Sequence, residues 1–214
     1  MSTFEAKPAG YYGEGRGDLI SRLRRPAGRV LDVGCAEGAA EGPLRDAGAT
    51  EITGIELLPE PAAVAATRYD RVVVGDALAS LDEIDGPFDT VLCLDVIEHV
   101  VDPGALLAAL RARTVSGGQL LLSTPNARHW SLVRDLVLRG TFGYTAFGHR
   151  DETHLRWFTR DDLDALLVRS GWQPESWWSS ALQFLANRRI PPRWLPRLGS
   201  EFGAGQWFVA ARAA

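Results

Sequence analysis

The sequence predicts an α/β fold: one mostly parallel sheet with helices on both faces. Three observations predict it. Short apolar runs of strand length recur around Val30–Val33, Ile52–Ile55, Val72–Val74, Val91–Leu94 and Leu120–Leu122. Such runs suit strands buried on both faces. Helix-like stretches alternate with them, the pattern that demands parallel strands and crossovers. The strands end at or beside acids (Asp32, Glu56, Asp76, Asp95), the end of an open sheet where ligands collect.

Taken in order, an N-terminal helix over about Gly17 to Arg25 precedes the first strand. The run Val30-Leu31-Asp32-Val33-Gly34-Cys35-Ala36-Glu37-Gly38 leaves that strand and breaks into small residues. Gly at such a strand-to-helix turn permits positive φ and close approach of a ligand. A helix over Ala39 to Ala47 ends at Gly48, and a second strand, Ile52-Thr53-Gly54-Ile55, closes on Glu56. Glu56 follows Asp32 by 24 residues. An acid about 20 residues on can take hydrogen bonds from both hydroxyls of a ribose. The turn is not the G-x-G-x-x-G of a dinucleotide site, because its glycines fall at Gly34, Gly38 and Gly42. Glu37 inside it would repel a pyrophosphate and favour a cationic ligand.

These residues resemble motif I of the class I S-adenosylmethionine-dependent methyltransferases, D/E-x-G-x-G-x-G. Asp32, Gly34 and Gly38 match it, and Ala36 stands where the middle Gly would be. Three later segments are similar to the same family. Val72-Val73-Val74-Gly75-Asp76-Ala77 looks like its third strand. Phe88-Asp89-Thr90-Val91 through Asp95-Val96-Ile97-Glu98-His99-Val100 resembles the fourth strand of the small-molecule branch that includes ubiquinone-biosynthesis-type enzymes. Leu120-Leu121-Leu122-Ser123-Thr124-Pro125-Asn126, led in by Gly117-Gly118, resembles its fifth strand. The resemblance implies a Rossmann-like, seven-stranded sheet and S-adenosyl-L-methionine as cofactor. It implies cofactor contacts from Asp32, Gly34, Cys35 and Gly38 at the methionine end and from Glu56 and Leu57 at the ribose. Asp76 and Ala77 would meet the adenine, while Leu94, Asp95 and His99 would line the floor. Tyr12, with Tyr11, precedes the first helix, where related enzymes fold an aromatic over the cofactor.

The helix from Pro103 to Thr114 carries Leu106, Leu107 and Leu110 on one face. After Asn126 the alternation lapses. An amphipathic helix over Trp130 to Arg139 is followed by a glycine- and aromatic-rich stretch, Gly140 to Gly148. Regularity resumes at Thr159, an N-cap with acids in the next turn, and that helix ends near Ser170-Gly171. Strand-like segments near Pro174 to Ser180 and Gly205 to Arg212 would close the sheet as an antiparallel hairpin, the usual ending of the fold that the resemblance implies, and Pro191, Pro192 and Pro196 punctuate the loop between them. The chain thus reads as one domain over 1–214, with a cofactor cover at 1–27, a cofactor-binding core at 28–126, a substrate lid inserted after the fifth strand at 127–158 and a closing unit at 159–214.

The lid is where an acceptor is expected. It holds His129, His149 and His154, three of the four histidines. Its run Asp151 to Thr159 resembles the D-x-T-H-x-R-x-F-T segment of the same branch. Methyl transfer chiefly needs alignment of nucleophile, methyl and sulfur. A hydroxyl nucleophile must also lose its proton, and His is suited to that at neutral pH. His154 is the first candidate base, with His149 and His129 behind it. Asp151, Glu152 and His154 resemble a carboxylate–imidazole set, but their spacing fixes no metal geometry, and no metal is expected.

Composition sets the remaining bounds. The chain has 214 residues, 46% of them hydrophobic, and a net charge of −4, giving no general attraction to nucleic acid. No apolar run approaches a membrane span, and no basic-then-apolar leader of signal-peptide type is visible. Cys35 and Cys93 read as buried hydrophobes of a reducing, cytoplasmic setting. Trp172, Trp177, Trp178 and Trp207 point to core or dimer packing. The expected activity is O-methylation of a small-molecule hydroxyl, such as a sugar or secondary-metabolite intermediate. A non-catalytic S-adenosylmethionine-binding partner would keep the same motifs. A nicotinamide-dependent oxidoreductase would explain the sheet and Glu56, but not Glu37 or Glu98-His99.

Overall fold

Seven strands run through a computed structural model that describes residues 16–179 and 201–214: β1 (Gly28–Val33), β2 (Ala49–Glu56), β3 (Arg71–Val74), β4 (Phe88–Leu94), β5 (Thr114–Pro125), β6 (Trp172–Ser179) and β7 (Gln206–Ala213). Helices α1 (Gly17–Ile20), α2 (Glu41–Asp46), α3 (Pro59–Ala65), α4 (Pro103–Ala112), α5 (Trp130–Arg139) and α6 (Arg160–Arg169) lie between them. The strands form one sheet in the order β3-β2-β1-β4-β5-β7-β6. The first five are parallel, and β7 runs antiparallel to both β5 and β6. This is the Rossmann-like sheet with a closing hairpin that the sequence implied.

Period-two alternation divides the core between the sheet's two faces. Leu31, Val33, Val91, Cys93, Leu120 and Leu122 pack with Leu106, Leu107 and Leu110 of α4 and Leu163 and Leu167 of α6. The intervening Val30, Leu92 and Leu121 face the other way, against Ile20, Leu44, Ala65 and Tyr69. Every one of these side chains is buried, and full burial of a residue such as Leu contributes roughly 1.5–3 kcal/mol. Trp172 is the largest fully buried side chain, and its Nε1–H donates to the Leu107 carbonyl at 2.9 Å. Trp177 meets Trp207 edge-on, and Trp178 stacks on Phe208.

The expected helix over Gly17 to Arg25 is corrected to Gly17–Ile20. The backbone N–H groups of Arg24 and Arg25 both donate to the Gln119 side-chain oxygen, at 3.0 and 3.2 Å, drawing the chain off its helical path towards β5. Pro26 also biases its predecessor towards an extended conformation. Helices α5 and α6 lie where the sequence placed them. Thr159 accepts the Asp162 N–H as the cap of α6, and Gly171, at φ 84°, follows its end. The run expected at Pro191 to Pro196 lies outside the described residues. Among the described residues, no helix is long and apolar enough to cross a membrane.

Because β2 and β4 leave opposite sides of β1, the sheet has a switch point at the carboxyl ends of β1 and β4, where a crevice must open. The segment 127–158 reaches over that crevice and is fastened there. Arg150 donates to Asp135 Oδ2 at 2.7 Å and to the Ser131 carbonyl at 3.1 Å, tying the loop to α5. The N–H groups of Leu155 and Arg156 both donate to the Glu98 carbonyl, tying it to the turn after β4.

Candidate active site

A cavity of about 640 Å³ occupies the switch point, within the range of small-molecule sites. It is lined from the strand ends and from the 127–158 segment together. Of the residues expected to meet a cofactor, Asp32, Gly34, Cys35, Glu56, Leu57, Asp76, Ala77, Leu94, Asp95 and His99 line it. His149 and His154 line it as well.

Three expected residues stand elsewhere, and a fourth falls outside the described residues. Gly38 is not in the lining: at φ 71° a Cβ there would come within 3.1 Å of Ala65 Cα and 3.2 Å of Tyr69 Cε1. Its smallness serves the packing of the turn on α3. Glu37, expected inside the turn as a charge facing the ligand, is also absent from the lining, and its carbonyl accepts from Arg68 at 3.0 Å. His129 lies behind His149, ring centroids 4.5 Å apart, with Nδ1 2.8 Å from Ser131 Oγ. Burial holds its pKa down to about 4, and burial also lowers that of His149. Tyr12 lies outside the described residues.

The motif turn is built around Glu56, which is buried at the end of β2. One carboxylate oxygen accepts the Ala36 N–H at 2.9 Å and the other the Leu58 N–H at 3.0 Å. The carboxylate is thereby fixed, with further lone pairs for hydroxyl donors. Gly34 (φ 70°) and Ala36 (φ 48°) both take the left-handed region. For Ala36 that costs about 1 kcal/mol, so replacing the motif's glycine strains the backbone as well as adding a methyl. Asp76 receives the N–H groups of Leu78 and Ala79 on one oxygen, each at 3.0 Å, which sets its orientation.

Asp32 lies deep in the cavity and accepts the Tyr69 hydroxyl at 2.6 Å. Burial pushes its pKa up to about 7, partly opposed by the Tyr69 bond and reinforced by nearby Glu56. The folded protein therefore holds a proton that the unfolded chain releases above about pH 4. That stabilising contribution is full below pH 4 and is lost as the pH rises to about 7. Asp32→Asn is expected to flatten this part of the stability profile of the ligand-free protein. Urea midpoints at pH 5 and pH 8 should differ more in wild type, by on the order of 2 kcal/mol, and equal differences in both proteins would refute the assignment.

Of the remaining lining, Arg16 and Glu98 carry ionisable side chains that were not foreseen as site residues. Arg16, itself at φ 45°, bonds through its guanidinium to Asp95. Asp95, at φ 57°, also accepts from Ser123 Oγ (2.8 Å) and Gln206 Nε2 (2.7 Å). Glu98 is 1% exposed; burial pushes its carboxyl up to about 8, against the backbone and Thr124 hydrogen bonds that favour its ionised form. Glu98, His99 and His154 bring donor atoms within 4.8 Å of one another, a set that could take a divalent cation. The sequence had grouped Asp151 and Glu152 with His154 instead. Asp151 is taken up by a turn, accepting the Thr153 N–H and hydroxyl at 2.9 and 2.7 Å. Both cysteines are free and buried, and burial raises their thiol pKa values, so neither is a ready thiolate.

Comparison with known proteins agrees with this geometry. The family described as a methyltransferase domain matches residues 11–176. The chain is 38% identical over 114 residues to a ubiquinone biosynthesis O-methyltransferase of Xanthomonas euvesicatoria, covering 50% of this chain and 47% of that protein. It is 33% identical over 146 residues to the protein of the same description from Pseudomonas fluorescens, covering 60% and 62%. The chain thus spans about half to three-fifths of the length of these curated relatives. An S-adenosylmethionine-dependent methyltransferase structure from Mesorhizobium loti has the same fold, with a TM-score of 0.64 at 20% identity over 94% of this chain and 98% of that one.

Proposed function

The chain belongs to the methyltransferase domain family, a class I family whose cofactor is S-adenosylmethionine, and we propose that it methylates a hydroxyl group of a small molecule. The observation that carries this reading is the composition of one cavity. Carboxylates at the strand ends line it together with histidines of the 127–158 segment and of the turn after β4.

The residues fit the cofactor. Glu56 offers fixed acceptors for two ribose hydroxyls, and Asp76 with Ala77 stands one strand further on, where an adenine would reach. Arg16 suits a carboxylate and Asp32 an ammonium, so both ends of an amino acid find a partner. Bound there, the cofactor would supply an electrophilic methyl group on a cationic sulfur, with that sulfur as the leaving group that keeps the C–S electron pair. What the chain adds is alignment, exclusion of water by the lid and removal of the hydroxyl proton. His154, buried at the cavity wall, is the candidate proton acceptor that the geometry favours over His149, while His129 lies behind the lining. The class of acceptor, a sugar or secondary-metabolite hydroxyl, belongs to the same proposal, as do a cytoplasmic setting and a homodimer.

Labelled S-adenosylmethionine supplied with a panel of phenols, sugars and hydroxylated polyketides tests the reading, with product structures read by NMR. Transfer to oxygen is the expected result. Transfer only to nitrogen or carbon would overturn the hydroxyl assignment. Tight cofactor binding with no transfer to any acceptor would favour the alternative of a cofactor-binding regulator.

A further inference from the structure

The ring of His99 is gripped from one side by the lid. Its Nδ1 lies 3.1 Å from the Thr153 carbonyl oxygen and 3.1 Å from the Thr153 hydroxyl oxygen. A carbonyl can only accept. The hydroxyl has a single hydrogen, and that hydrogen is committed to Asp151 Oδ1 at 2.7 Å. Towards His99 both Thr153 atoms therefore present lone pairs, and Nδ1 must carry the hydrogen between them. In the neutral ring the other nitrogen, Nε2, is then unprotonated.

The anchoring is stiff. Asp151 is fully buried and Thr153 nearly so. The same Asp151 oxygen also takes the Thr153 N–H. The two residues after His154 are bonded to the carbonyl of Glu98, the neighbour of His99 in the chain. His154 packs its ring against that of His99, centroids 4.7 Å apart and planes at 67°.

We propose that His99 is the proton acceptor for the substrate hydroxyl, and that Thr153 and Asp151 are its positioning residues. This rests on the functional reading above and revises one part of it, moving the base from His154 to its neighbour. As the acceptor oxygen bonds to the methyl carbon, its O–H bond breaks and the proton moves to His99 Nε2. The resulting imidazolium is held by Thr153, whose hydroxyl points its lone pairs at Nδ1–H and its hydrogen at the Asp151 carboxylate. The proton leaves to solvent with the product. Asp151–Thr153–His99 thus does through a hydroxyl what a carboxylate bonded directly to imidazole does elsewhere. The base becomes correctly oriented only when the 151–156 segment is seated on the turn after β4.

Long-range 1H–15N spectra of protein labelled with 15N-histidine, recorded with a chelator above the pH at which its imidazoles are charged, read the tautomer without any acceptor. His99→Gln identifies the signals. The expected result is a protonated Nδ1 and an unprotonated Nε2. Thr153→Val, with one of the two acceptors gone, should admit the Nε2–H form, and Thr153→Ser should restore the wild-type pattern. An Nε2–H ring in wild type would overturn the proposal. So would a Thr153→Val spectrum indistinguishable from wild type. S-adenosylhomocysteine affinity within threefold of wild type in Thr153→Val shows that the fold and the cofactor side survive the substitution. Failure of wild type to bind S-adenosylhomocysteine would sink the functional reading instead, leaving the tautomer result to judge the hydrogen-bond chain alone.

Discussion

Glu56→Ala should weaken S-adenosylhomocysteine binding by roughly a hundredfold. A carboxylate facing two ribose hydroxyls makes two charge-assisted hydrogen bonds, each contributing roughly 1.5–3 kcal/mol, so a loss of about 3 kcal/mol is a conservative sum. The same side chain holds the motif turn, because its oxygens accept the Ala36 and Leu58 N–H groups. Calorimetric titration of wild type, Glu56→Ala and Glu56→Gln separates the two contributions. The Gln variant keeps one good acceptor and should lie between the others. Equal affinity in all three proteins would place the ribose elsewhere in the cavity.

The second large effect is on stability. Gly34 sits at φ 70°, and a Cβ built on it would lie 2.6 Å from Val96 Cγ2. Gly34→Ala therefore pays twice: about 1–2 kcal/mol for a left-handed alanine and a similar amount for forcing Val96 aside. A total of about 3 kcal/mol should lower the Tm by roughly 6–10 °C in a chain of this size. Adding Val96→Ala should return the steric part and leave the backbone part. A double variant no more stable than Gly34→Ala would refute the clash as the cause.

Much of this was legible in the chain because it is local. The strand-end acids Asp32, Glu56, Asp76 and Asp95 reach one cavity since parallel strands present all their carboxyl ends on the same side. Helices α5 and α6 announced themselves by periodicity and by Thr159. Other parts were hidden because they depend on contacts distant in sequence. Arg16 carries no motif, and only the fold brings it to Asp95, 79 residues away. Tyr69 looks like an ordinary residue after a helix until its hydroxyl is found on Asp32.

Two misreadings came from treating neighbours in sequence as neighbours in space. Glu37 lies between two cavity-facing stretches, yet the turn carries it out of the lining, and the site's carboxylates come from the strand ends instead. Asp151 was weighed beside His154 as a possible donor, but its Oδ1 is occupied by the turn that it closes. The histidines show the same point: sequence spacing singled out three in the lid, whereas the hydrogen bonds single out His99 on the facing turn, whose partner Thr153 is 54 residues away.

The central claim is that this cavity holds S-adenosylmethionine, and calorimetric titration of the wild-type protein with S-adenosylhomocysteine, NAD and NADP tests it most directly. Micromolar binding of S-adenosylhomocysteine alone is the predicted result, with affinity rising from pH 6 to pH 8 as Asp32 ionises to meet the ammonium. Binding of either dinucleotide, or of none of the three, would contradict it.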